Sequence, residues 1–192
     1  SIGFLDTYEI YYLNFNPLII SDLRVIIFYR CPWTDNISKS ISLAKTLKKK
    51  VIFDIDDLVI DTKYTDLVPY LHTISASEKM LYDRGVALMR KTLEHCEGVI
   101  TSTEVLAKEL KKYVSEVFIN RNVANEEMFK LSDIALKNKS KRKNSKEIII
   151  GYFSGSITHN DDFKMILPVV KRLMKEHSNL YLKVVGLLDI PE

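Results

Sequence analysis

The chain has 192 residues, enough for one medium domain or one domain plus part of another, and enough to bury a core without disulfide staples. Its net charge of +3 gives no electrostatic case for nucleic acid or a membrane surface. No apolar run approaches the ~18 residues that span a bilayer, no signal-peptide pattern is read, and Cys31 and Cys96 lie too far apart for metal spacing, so a reducing cytoplasm is the expected compartment.

In chain order, the Tyr-rich opening 7–16 reads as extended. Residues 24–30 (RVIIFYR) read as a buried strand, and 36–50 as a helix with Ile37, Ile41, Ala44 and Leu47 on one side. Residues 51–55 (VIFDI) are the next strand. A helix is expected over 77–96, capped by Ser77, with an inward stripe of Leu81, Gly85, Leu88, Met89, Thr92 and Cys96. Strands follow at 98–102 and 116–120, flanking a helix over 103–113 capped by Thr103. Residues 136–146 are basic, with Lys137, Lys139, Lys141, Arg142, Lys143 and Lys146, and read as a solvated linker more readily than as a phosphate or lipid patch. The pattern then restarts. A strand at 147–153, a loop at 154–160, a helix over 161–177 bent at Pro168 and a strand at 180–186 make one βαβ unit. The expected domains are 1–135, the linker 136–146, and 147–192, in two separate sheets. The start inside plausible structure and the stop after a strand lead us to expect a piece of a longer protein.

The stretch VIFDIDDLVID (51–61) concentrates chemistry. Asp54 and Asp56 alternate with Ile55 and so face one side of a strand. Burying such a pair without partners is costly, which favours a strand end near a cleft. Asp57 and Asp61 also fit local turns. One enzymatic reading is a haloacid-dehalogenase-like, Mg²⁺-dependent phosphatase, with Asp54 as nucleophile and Asp56 as general acid. Against it, Leu58 stands where a hydroxyl or small residue is expected, and Asp161 and Asp162 open a helix instead of following a strand directly. A second reading makes Asp54 and Asp56 the Asp-x-Asp metal clamp of single-domain glycosyltransferases, for which a two-domain restart is not expected.

Three further segments carry a wider resemblance. CEGVITSTEVLAKEL (96–110) resembles the last strand and helix of the first domain of group 1, GT-B-type glycosyltransferases. VFINRNVANEEMF (117–129) resembles the segment that follows there, with Asn122 near its Asn-Gly and Phe129 as its aromatic. IIIGYFSGSITHNDDFKMILPVVKRLMKEHSNLYLKVVG (148–186) resembles the start of the second domain. Within the family the chain looks nearest to enzymes that build bacterial surface polysaccharides, rhamnan-like polymers included.

The resemblance implies an α/β, Rossmann-like GT-B fragment: the parallel sheet of an acceptor-side first domain, plus the opening βαβ unit of a doubly wound donor domain. It implies transfer of a sugar, with retention, from a nucleotide-sugar donor to a glycan or lipid-linked acceptor. No metal or cofactor is required, since the nucleotide sugar is a substrate. It makes Asp56 and Asp57 acceptor-side groups that accept a hydrogen bond from the attacking hydroxyl or orient it. On the donor side Gly155 offers close backbone approach, Ser154, Ser156 and Thr158 offer hydroxyls, and a helix N-terminus follows. Asp161 and Asp162 suit that helix start as caps but repel phosphate, leaving residues outside this chain, or His159, to meet its charge; for His159 a plain surface histidine is equally expected. Arg30 is a candidate for an anionic acceptor such as a lipid diphosphate, and Ser102 and Asn122 are candidates for acceptor contact, Asn122 lying near the expected inter-domain crossing, where shaping a turn is its other role. Thr103 fits a helix cap better than a ligand contact. A non-catalytic sugar- or phosphate-binding module is the alternative outside enzymes. Cytoplasmic location, association with the inner face of a membrane, self-association through a truncated domain and inactivity of the piece alone complete the expectations.

Overall fold

Short β-branched runs separated by helical periodicity predict parallel strands with helical crossovers. The computed structural model describes residues 9–141, 146–155 and 159–190, and is an α/β protein. It divides into two compact units, Ser1–Asn122 and Val123–Glu192.

The first unit carries β1 (Val25–Tyr29), α1 (Asp35–Thr46), β2 (Lys50–Asp54), α2 (Ala76–Glu94), β3 (Gly98–Thr101), α3 (Glu104–Leu110) and β4 (Glu116–Ile119). The strands form one parallel sheet in the order β1-β2-β3-β4. Right-handed crossovers that always step the same way place their helices on one face. The burial pattern agrees. Ile26, Phe28, Val51, Phe53 and Val99 pack with Ile37, Ile41, Ala44, Leu93 and Leu110. Val25, Ile27 and Tyr29 alternate with the buried residues of β1 and are exposed.

Four local expectations are corrected. The opening is extended only in part: Tyr11, Phe15 and Asn16 have extended backbone, but a 3₁₀ turn covers Tyr12–Asn14 and a second follows at Pro17–Asp22. Pro17 and the Asn16 side chain, which accepts from Leu18 N–H, start the second turn and bury Ile20. Helix α2 is capped by Ser75, not Ser77, because Glu78 completes a capping box with Ser75. Its inward residues are Val86, Thr92 and Leu93, and Leu81 is exposed. The basic segment expected as linker is helical through Lys141.

That helix, α4 (Glu126–Lys141), belongs to the second unit, where the Asn125 side chain accepts from Met128 N–H. The unit continues with β5 (Ile148–Ser154), α5 (Asn160–Glu176) and β6 (Leu180–Gly186). Strands β5 and β6 pair in parallel as a separate two-stranded sheet, as the restart predicts. Helix α5 runs on past Pro168 and buries Phe163, Leu167 and Val170. No described helix is long and apolar enough to cross a membrane.

Candidate functional site

Open parallel sheets bind ligands beyond the carboxyl ends of their strands, because the crossovers leave that edge to loops. In the first unit the ladder runs one step past the strands and aligns those ends. Arg30 N–H donates to the Asp54 carbonyl at 3.0 Å, Ile55 N–H to Ile100 at 3.0 Å, and Asn120 N–H to Thr101 at 2.8 Å. Arg30 takes a left-handed backbone (φ +47°), an uncommon state for a side chain of its kind. That turn lets the guanidinium reach across to the loop after β2. Nε and Nη2 donate to Asp56 Oδ1 at 3.0 and 2.6 Å, and Nη2 also donates to Asp57.

The loop after β2 is held at its far end by Asp61. Its carboxylate accepts from Tyr113 Oη at 2.7 Å and Arg90 Nη1 at 3.1 Å, and caps the next 3₁₀ turn through Lys63 N–H. Burial pushes the Asp61 carboxyl up, but the hydrogen bonds from Tyr113 and Lys63 outweigh it and hold it below the usual carboxylate value. Trp33 N–H donates to the Leu88 carbonyl, tying the loop after β1 to α2.

These constraints shape a pocket of about 190 Å³ at the strand ends. Asp54 and Asp56 supply carboxylates, Ser102, Asn120 and Asn122 supply hydroxyl and amide groups, and Tyr29 and Ile100 supply apolar surface. Thr101 also lines it; its hydroxyl is buried with no hydrogen-bond partner among the described residues. A buried orphan hydroxyl in a native site calls for a partner the protein alone does not provide.

The two pocket carboxylates differ. Asp56 is engaged by Arg30, whereas no side-chain hydrogen bond is made to Asp54 among the described residues. Burial, and then the neighbouring charge of Asp56, push the Asp54 carboxyl up; Arg30 offsets only part of this. With all groups ionised, three carboxylates face one guanidinium, a net charge of −2 by that arithmetic (−3 + 1). Such a site suits hydroxyl donors and repels phosphate.

Of the residues singled out from sequence, Asp56, Ser102 and Asn122 share this pocket. Asp57 is exposed and held by Arg30, outside the lining. The Arg30 guanidinium is shared between the Asp56 and Asp57 carboxylates and offsets one of their two charges. Tyr29, Thr101 and Asn120 were missed; the signal that finds them is position, at or just after the last residue of a strand. Asp54, read from sequence as the phosphatase nucleophile or a metal ligand, is the free carboxylate of the pocket. Among the described residues no group of three or more His, Cys, Asp or Glu side chains gathers as a metal site.

In the second unit Ser154 ends β5 in register with Gly186, and Gly155 has open space where a Cβ would sit. His159 Nδ1 lies 3.2 Å from Asp162 Oδ2 at the start of α5. Asn160 fixes the same helix start through two hydrogen bonds with Asp189, a contact the sequence did not suggest. Ser156 and Thr158 lie outside the described residues. No family model matches the chain, and no curated protein matches it.

Proposed function

We propose that the first unit is the acceptor-binding part of a glycosyltransferase of the GT-B type, which moves a sugar from a nucleotide-sugar donor onto a glycan or lipid-linked acceptor in surface polysaccharide synthesis. The observation that carries this reading is the uncommitted Asp54 carboxylate in a pocket rich in hydroxyl and amide groups. A carboxylate without an internal donor accepts a hydrogen bond from a sugar hydroxyl and orients its oxygen for attack. Asn120, Asn122, Ser102 and the unpartnered Thr101 complete a surface for several hydroxyls, and Tyr29 gives the apolar face of a sugar ring a wall. Asp56 and Asp57 then serve as the Arg30-held frame of the site, with Asp54 closest to the chemistry. The donor diphosphate is assigned to the second unit, with Ser154, Gly155 and His159 as its described candidates, because the net negative charge of this pocket repels phosphate. The nucleotide sugar is a substrate in this scheme, so no resident cofactor is invoked.

One observation favours a second reading. An Asp54 carboxylate at a strand end, with no side-chain hydrogen-bond donor among the described residues, also suits the phosphatase nucleophile. Its general acid would be Asp56, which is already bound to Arg30. Two measurements on the chain separate the readings. Titration with methyl glycosides and disaccharides, followed by amide NMR, is expected to move the resonances of Tyr29, Asp54, Thr101, Ser102 and Asn120, with loss of the response in Asp54→Asn. Mg²⁺-dependent hydrolysis of a phosphomonoester that disappears in Asp54→Asn, without a sugar response, would replace the transferase reading by the phosphatase one.

A further inference from the structure

A second recess has Arg30, the partner of Asp56, in its lining. It is a groove of about 300 Å³ beside α2, lined by Val59, Leu81, Tyr82, Val86 and Met89, with Gly85 in its floor and Arg30 as its charged member. Arg30 lines this groove and Asp56 lines the polar pocket, and the two side chains are hydrogen-bonded at 2.6 Å. One ion pair therefore forms the wall between a hydroxyl-seeking pocket and an apolar one.

Three features mark the groove as more than a fold in the surface. Leu81 is 64% exposed and Tyr82 is also exposed, so apolar surface is left open on this part of α2. Gly85 sits in the middle of a 19-residue helix, where glycine is destabilising relative to alanine. A Cβ there would meet no atom within 4 Å, so no close contact in the fold demands glycine. Its missing side chain leaves that space in the groove lining unfilled. Met89 adds a thioether that adapts to an irregular apolar guest. The volume lies at the lower end of small-molecule sites (about 300–1,000 Å³), and a concave slot of this size is a poor match to the roughly 800 Å² that each partner buries in a stable protein interface.

We infer that this groove holds the aliphatic part of an amphiphilic acceptor, a neutral glycolipid whose sugar end lies in the Asp54 pocket across the Arg30–Asp56 wall. The inference rests on the carbohydrate reading of that pocket and narrows its acceptor class. Neutrality follows from the charge of the two recesses. Among the described residues, the one guanidinium lining either recess is already shared by Asp56 and Asp57, so a head group bearing phosphate next to the chain would meet net negative charge.

The test is a chain-length series: methyl, hexyl and octyl glycosides of glucose and of rhamnose, each below its micelle concentration, titrated into the protein and followed by amide and methyl NMR. Affinity is expected to rise about twofold to fourfold per added methylene, the range for partial to full burial of that group. The methyl signals of Leu81, Val86 and Met89 should move with it. Gly85→Leu fills the floor and should abolish the gain with chain length while leaving the affinity for the methyl glycoside unchanged. Leu81→Ser, at an exposed position that does not threaten folding, should reduce the same gain. Asp54→Asn should weaken every member of the series alike.

The outcomes separate this inference from the reading beneath it. If the methyl glycosides move no pocket resonance, the carbohydrate reading falls and takes the inference with it. If they do, but octyl binds no better than methyl, or Gly85→Leu leaves the chain-length gain intact, the inference alone is overturned. Sedimentation in which Gly85→Leu splits a dimer would assign the groove to a second copy of the chain and overturn it as well.

Discussion

Replacing Arg30 separates two effects that meet at one residue. Its side chain is a fork on Asp56, with a further bond to Asp57, and its backbone sits at φ +47°. The three side chains are 33%, 37% and 58% exposed, so solvent screens the pair and the fork contributes about 2 kcal/mol, between an exposed ion pair and a buried charged hydrogen bond. The left-handed backbone costs a residue with a Cβ about 1 kcal/mol. Arg30→Ala should therefore destabilise the first unit by about 2 kcal/mol, because it loses the fork and keeps the strain. Arg30→Gly loses the same fork but relieves the strain, and should cost only about 1 kcal/mol. Urea unfolding followed by tryptophan fluorescence measures this unit specifically. Trp33 is the sole tryptophan, lies three residues from Arg30 and packs on the His95 ring at 4.3 Å. Equal losses in the alanine and glycine variants would refute the strain argument, and a loss below about 0.5 kcal/mol in Arg30→Ala would refute the role of the fork.

Asp54→Asn should raise the urea midpoint at pH 7. The folded-state pKa of Asp54 is raised, so its ionised form opposes folding once pH climbs from the ordinary value near 4 through the raised one; the gain should vanish below pH ~4, and a gain independent of pH would contradict the assignment. Asp61 has the opposite sign. Its folded pKa is lowered, so its contribution is full above the ordinary carboxylate value and lost as pH falls through the folded one; Asp61→Asn should cost about 2 kcal/mol at neutral pH, and an unchanged midpoint would show that the Tyr113 and Arg90 contacts do not anchor the loop. Gly186→Ala should cost the second unit more than about 3 kcal/mol, since φ is +102° and a Cβ would lie 1.8 Å from the Ser154 carbonyl oxygen; unchanged hydrogen exchange across β5 and β6 would rule this out.

The strands were legible because runs such as VIIFY and YLKVV favour extended backbone, although only Ile26 and Phe28 of the first and no residue of the second are buried, and their grouping into two sheets followed from where the pattern restarts. Caps were less legible. Ser75 and Ser77 both suit the start of α2, and only the reach of Glu78 back to Ser75 decides between them. The Asp cluster was visible as chemistry, but the assignment of tasks within it was not. Arg30 and Asp56 are 26 residues apart, so the partner that occupies Asp56 and Asp57, and thereby leaves Asp54 free, exists only once β1 and β2 lie side by side. The same holds for Thr101 and Asn120, ordinary residues in sequence that become pocket walls because parallel strands end together. The groove over Gly85 was hidden for a related reason: helical periodicity placed Leu81 and Gly85 on the inward stripe, whereas the packed face of α2 turns through Val86 and Leu93.

The claim that Asp54 holds a sugar hydroxyl is tested most directly by a crystal structure of the chain soaked with a disaccharide. The expected result is a saccharide at the carboxyl ends of β1–β4, with one hydroxyl within about 2.6–3.2 Å of the Asp54 carboxylate and a ring face against Tyr29. A saccharide bound away from these strand ends, or Mg²⁺ bridging Asp54 and Asp56 when phosphate and magnesium are soaked instead, would contradict it.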